Sequence, residues 1–122
     1  MDVSVKKQLC SLYKARCMLT GIKGPLTYHH IIKVCDGGYK TVSNGAMLRE
    51  DAHQWLHNDM EVHHEETFDL LNECMQLYKA CVDEGKLGLV TMYEEEIMPK
   101  VCSEVKMYTK RRGKYGKKRP RI

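Results

Sequence analysis

The stretch Tyr28-His29-His30-Ile31-Ile32, continued through Cys35-Asp36-Gly37-Gly38 and Tyr39-Lys40-Thr41-Val42 to Asn44, His53 and His57, decides how this chain is read. Four of the six histidines fall within it, in the order His-His, Asn, His-x-x-x-His. The paired histidines follow Pro25-Leu26-Thr27-Tyr28 and lead into Ile31-Ile32, which reads as a strand. Cys35 to Gly38 is turn chemistry, and Tyr39 to Val42 reads as a second strand. After Leu48 the pattern changes to helix. Glu50 and Asp51 suit a helix N-terminus through the dipole, and His53 and His57, four apart, share one face. Strand, loop, strand and helix form a unit compact enough to bring three separated histidines to one point, as a metal site requires.

These residues resemble the HNH nuclease motif, and most closely the form found in DNase-type colicins, with two histidines at the front and two at the back. The matching pieces are the double histidine at a strand, the Gly-Gly of the connecting loop, Asn44, the Ala46-Met47-Leu48 run and the helical His-x-x-x-His. Cys17-Met18-Leu19-Thr20-Gly21 also resembles the Cys-x-x-Thr-Gly that precedes the paired histidines in many such sequences. The likeness spans about residues 17–57, a third of the chain. It implies an α+β protein with a ββα-metal core and flanking N- and C-terminal helices. It implies a metal-dependent DNA endonuclease that leaves a 5′-phosphate and a 3′-hydroxyl. Carried over residue by residue, it makes His29, His53 and His57 the metal ligands and His30 the general base. Asn44 then holds the histidine-bearing strand and helps orient the base.

The chemistry suits those residue types. Phosphodiester hydrolysis needs an activated water and stabilisation of charge on the phosphorus and the departing oxygen. A histidine titrating near neutrality can supply the first and a divalent ion the second. His53 and His57 on one helical face have Cβ atoms ~6 Å apart, close enough for two imidazoles on one ion. Adjacent strand residues point to opposite sides, so His29 and His30 take different jobs, although the residues alone leave open which takes which. Three neutral imidazoles favour Zn²⁺ or Ni²⁺ at rest, while Mg²⁺ or Mn²⁺ can support turnover. A purely structural site closes with four protein ligands, whereas three plus a free neighbouring histidine leave a position open.

Length and charge set the frame. At 122 residues the chain suits a single domain, read as 1–109, with a ββα-metal core at about 17–57 and a helical extension over 58–109. Residues 110–122 form a basic tail, expected to be disordered when free. The tail holds Lys110, Arg111, Arg112, Lys114, Lys117, Lys118, Arg119 and Arg121 and no acid, so of twenty basic residues twelve remain against sixteen acids in the body. A mildly acidic body with such a tail points to DNA as partner, tracked through its phosphates without reading sequence. No apolar run approaches the ~20 residues of a membrane span, and Met1 to Lys7 lack a signal-peptide core, so the expected address is cytoplasmic. The six cysteines are then expected to be thiols or metal ligands and not a disulfide framework, and with no C-x-x-C pair they do not spell out a structural zinc.

The periodicity predicts a first helix capped by Asp2 and running to about Arg16, with Val5, Leu9, Leu12 and Tyr13 inward. A long helix is expected from about Val62 to Asp83, with Lys79 on its outer face, and a last one from about Val90 to Lys110, interrupted or kinked near Pro99. His63-His64 and Glu94-Glu95-Glu96 read as solvated positions. The competing functional reading is a non-catalytic HNH-fold binding or regulatory protein of phage or mobile-element origin, acting with a phage or host protein partner.

Overall fold

The computed structural model describes residues 4–116, with side chains described through Arg112. Helix and sheet are mixed. Helix α1 (Val5–Leu12) leads to strand β1 (Leu26–His30), a loop with one 3₁₀ turn, strand β2 (Gly45–Arg49) and helix α2 (Glu50–Trp55). A π-helical segment, Leu56–Glu61, continues α2. Helix α3 (Glu65–Asp83), helix α4 (Leu87–Met92), a second π-helical segment (Tyr93–Ile97) and helix α5 (Met98–Gly116) complete the chain. β1 and β2 pair antiparallel, Leu26 opposite Arg49 and His30 opposite Gly45.

Helix α1 is shorter than the periodicity predicts. Its cap is Ser4, whose side chain accepts the Lys7 N–H, while Asp2 lies outside the described residues. Lys14 and Ala15 take positive φ, which ends any helical path well before Arg16. Leu9 and Tyr13 are buried, but Leu12, the last helical residue, is exposed. Cys17, Leu19, Ala46, Leu48, Ala52 and Leu56 are shut off from solvent and put the core directly beneath the sheet and α2.

The second strand lies elsewhere than expected. Tyr39 to Val42 stays in a loop because local side chains satisfy its backbone: the Tyr28 hydroxyl accepts the Thr41 N–H at 3.0 Å and donates to the Thr41 carbonyl at 2.7 Å. Asn44 accepts the Ile32 N–H and donates to the carbonyls of Ile32 and Tyr39. Backbone groups held this way cannot join a ladder. Likewise β1 ends at His30, before Ile31-Ile32. Gly38 lies against the Ile32 carbonyl and the Asn44 amide, where any side chain would collide, so the Gly-Gly serves close approach as well as turning.

Lys79, expected outside, is buried at 3 % exposure. Its ammonium donates to the carbonyls of Val42 (2.7 Å), Ser43 (3.0 Å) and Gly45 (2.7 Å). It thereby ties α3 to the turn that carries Asn44 into β2. Burial pulls its pKa down to about 8, partly offset by Asp83. Glu94 is likewise no solvated position: it accepts the Tyr78 hydroxyl and pairs with Lys14 and Arg16. The last helical stretch meets Pro99 just after the π-helical segment, whose looser turn accommodates the missing N–H. Helix α5 then runs on to Gly116, so the first part of the expected disordered tail is helical. Among the described residues no helix is long and apolar enough to cross a membrane.

Candidate metal centre

Strand alternation sends Thr27 and His29 toward α2, and Tyr28 and His30 to the other face. The helix that follows β2 presents His53, and its π-helical continuation presents His57. One ring nitrogen from each of His29, His53 and His57 lies within 4.8 Å of the others. Ring centroids are 5.2 Å apart for His29 and His53, 5.3 Å for His29 and His57, and 4.9 Å for His53 and His57. The cluster joins residues 28 positions apart in sequence because β1 pairs with the strand leading into α2.

The other nitrogen of each ring is occupied, and the partners decide the tautomers. His29 Nε2 lies 2.7 Å from Asn72 Oδ1, a carbonyl-type acceptor, so Nε2 carries the proton. His53 Nδ1 lies 2.8 Å from the Thr27 hydroxyl, whose single proton goes to the Leu48 carbonyl. The hydroxyl can then only accept, and His53 Nδ1 donates. His57 Nδ1 lies 2.7 Å from Glu61 Oε1 and donates to that carboxylate. The nitrogens left over for a ligand are therefore Nδ1 of His29 and Nε2 of His53 and His57.

His29 Nδ1 is buried with no hydrogen-bond partner. A buried acceptor left empty costs ~1–3 kcal/mol, so this atom calls for a ligand. Burial, partly offset by the Asn72 bond, pushes the His29 pKa down to about 4. Burial, with His57 and then His30 adding to it, does the same for His53. Both rings are thus neutral near pH 7, with lone pairs free. Three imidazoles, each backed through its second nitrogen, fit a divalent ion.

His30 sits apart, half-buried, with its ring edge-on to Tyr28 at 4.8 Å between centroids. Among the described residues, nothing hydrogen-bonds its ring. Asn44 does not touch His30. Its side chain fixes Ile32 and Tyr39, and its carbonyl accepts the Ile31 N–H, so it clamps the chain immediately after the paired histidines. His63 and His64 are exposed and lie outside the cluster.

Of the expected DNA-contacting cations, Lys110, Arg111 and Arg112 are exposed on α5. Arg112 donates to Gln54 and Tyr108, and Arg111 reaches Asp59 at 3.5 Å, which lays this end of α5 along the segment bearing His53 and His57. Lys114 falls where only backbone is described, and Lys117, Lys118, Arg119 and Arg121 lie outside the described residues.

Sequence reasoning passed over Thr27, Asn72, Glu61 and Lys79. Only Glu61 left a local signal, four residues beyond His57. Comparison with family models, curated proteins and solved structures finds no match for this chain.

Proposed function

We propose that the chain is a metal-dependent DNA endonuclease of the ββα-metal type, with His29, His53 and His57 as ligands of one divalent ion and His30 as general base. The observation that carries this reading is the three-histidine convergence with one empty buried nitrogen, beside a fourth histidine on the same strand that takes no part in it. Three imidazoles fill only part of a four-coordinate shell, and the remaining position suits a phosphate oxygen. A bound divalent ion supplies Lewis-acid stabilisation of the phosphate charge and of the departing oxygen.

The chain's own residues have separate tasks. His30 takes a proton from the attacking water as its oxygen bonds to phosphorus. The bond from phosphorus to the 3′ oxygen breaks, leaving a 5′-phosphate and a 3′-hydroxyl. Asn44 holds the loop so that the end of β1 stays in register, and Tyr28 braces the His30 ring. Arg111, Arg112 and the cations beyond them attract the phosphate backbone without reading sequence.

The test is nicking of supercoiled plasmid with Mg²⁺, Mn²⁺, Ni²⁺ or Zn²⁺ added and EDTA as control. Cleavage is expected with at least one ion, and His30→Ala should lower it by about 10²- to 10⁴-fold while metal content stays the same. A protein that binds metal and DNA yet never nicks would instead be a binding or regulatory protein on the same scaffold.

A further inference from the structure

Building on that metal reading, we infer that Glu61 is a positioning residue of the metal centre and that Lys33, from the loop between the strands, tunes it. The geometry is a relay of three side chains. His57 Nδ1 meets Glu61 Oε1 at 2.7 Å, and Glu61 Oε2 meets Lys33 Nζ at 2.5 Å, one partner on each carboxylate oxygen. The three ligand rings have chemically different supports: an amide behind His29, a hydroxyl behind His53, and a carboxylate behind His57. Only the last carries a full charge.

A carboxylate accepting from the far nitrogen of an imidazole fixes the tautomer and makes the near nitrogen a stronger donor to a metal. Glu61 is therefore the support with the most leverage on affinity. Lys33 draws on the same carboxylate from its other oxygen, and it holds Glu61 below the usual carboxylate range. The Lys33 ammonium also lies 5.4 Å from the Phe68 ring centre, and that ring is 5.8 Å from His57. Loop, α3 and the ligand-bearing segment thus meet at Glu61.

The arrangement has a signature that a merely structural ion pair would lack. Breaking the Lys33–Glu61 pair from either end would loosen the same contact between loop and helix. The two ends nonetheless act oppositely on the ring. Removing the Glu61 charge weakens His57 as a ligand, whereas removing Lys33 releases the carboxylate to polarise it more strongly.

The experiment is a Co²⁺ titration against a chromophoric competitor on the full chain, comparing wild type, Glu61→Gln and Lys33→Met, with circular dichroism of each metal-free protein. Glutamine keeps an acceptor for His57 and removes the charge. Glu61→Gln should weaken Co²⁺ binding about 10-fold, and Lys33→Met should tighten it about threefold. In the Co²⁺-loaded protein, the shifted ring N–H signal of His57 should move in Glu61→Gln while those of His29 and His53 hold still. Equal affinities for Glu61→Gln and wild type, or a change of the same sign in both variants, overturn the inference and leave the metal centre standing. If Glu61→Gln fails to fold, Lys33→Met decides: tighter binding supports the relay, and unchanged or weaker binding overturns it. A wild-type chain that takes up no Co²⁺ overturns the metal reading, and the role of Glu61 with it.

Discussion

His29 and Lys79 are buried to nearly the same degree, at 1 % and 3 % exposure, and they mark two polar centres built in opposite ways. Lys79 spends all three N–H donors on three backbone carbonyls at hydrogen-bond distance. His29 satisfies one nitrogen through Asn72 and leaves the other facing two more imidazoles, without a partner. Arg16 Nε and Trp55 Nε1 are also buried without a hydrogen-bond partner, but each is a donor on a single side chain, whereas His29 Nδ1 is an acceptor on one of three clustered imidazoles. The lysine is a finished strut, and the histidine is half of a site.

The difference can be broken most sharply by mutation. Lys79→Met should cost about 4 kcal/mol of stability, because the buried carbonyl of Gly45 and the part-buried carbonyls of Val42 and Ser43 lose a charged donor at once. The further stabilisation that added metal confers, about 2.7 kcal/mol at a hundredfold excess over Kd, should survive in that variant. The double variant His53→Ala/His57→Ala should do the reverse, losing the metal increment. Thermal melts with and without Zn²⁺ distinguish the two. A lost increment in Lys79→Met would mean that the strut and the site are one unit.

Acid separates the centres by a different route. In the folded metal-free chain His29 and His53 titrate at about 4, and in the unfolded chain near 6.5. Between those values the unfolded state binds protons that the folded state refuses. Stability is therefore fully present above about pH 6.5 and is lost as pH falls toward 4, by about 3 kcal/mol from His29 and by a smaller amount from the partly exposed His53. Lys79 works in the alkaline window. Burial pulls its folded pKa down to about 8, against about 10.4 for an ordinary lysine, so desolvation alone would make stability rise between them, and the carbonyls that favour the ammonium shrink that gain. Denaturant melts across pH should show an acid slope that Zn²⁺ preserves or steepens, because the ion keeps the rings unprotonated in the folded state alone, and that is smaller in the double variant, where only His29 remains.

How much of this was legible in the sequence follows from the range of each contact. The His53–His57 spacing and the strand alternation that separates His29 from His30 are local geometry, so the cluster could be read from spacing and resemblance. Lys79 meets residues 34 to 37 positions away, and Asn72 meets His29 across 43. Periodicity carries no information at that separation, and it placed Lys79 on the wrong face. The strand error was a contest between propensity and context. Tyr39-Lys40-Thr41-Val42 has strand-like composition, but side chains claim its backbone. Gly45-Ala46-Met47-Leu48-Arg49 has little strand propensity and pairs because the core buries Ala46 and Leu48 completely. The end of α1 turned on two positive φ angles that no residue type there announces.

The smallest expected effect on chemistry concerns the basic end. Cutting the chain after Gly116 removes four cations and none of the site residues. If those cations contact phosphates, the slope of log K against log salt should flatten by about 3 to 4. Single-turnover cleavage at saturating DNA should stay within about threefold, since His30 and the ligands are untouched. An unchanged salt slope would assign phosphate tracking to Arg111, Arg112 and the body of the protein.

The central claim, a three-histidine centre with one open position, is tested most directly by X-ray absorption at the metal edge of the Zn²⁺-loaded chain. The account predicts three imidazole nitrogens and one further light atom at about 2.0–2.1 Å. Because the chain carries six cysteines, a sulfur shell at about 2.3 Å is a real alternative outcome. That shell, or a fourth imidazole, would contradict the claim.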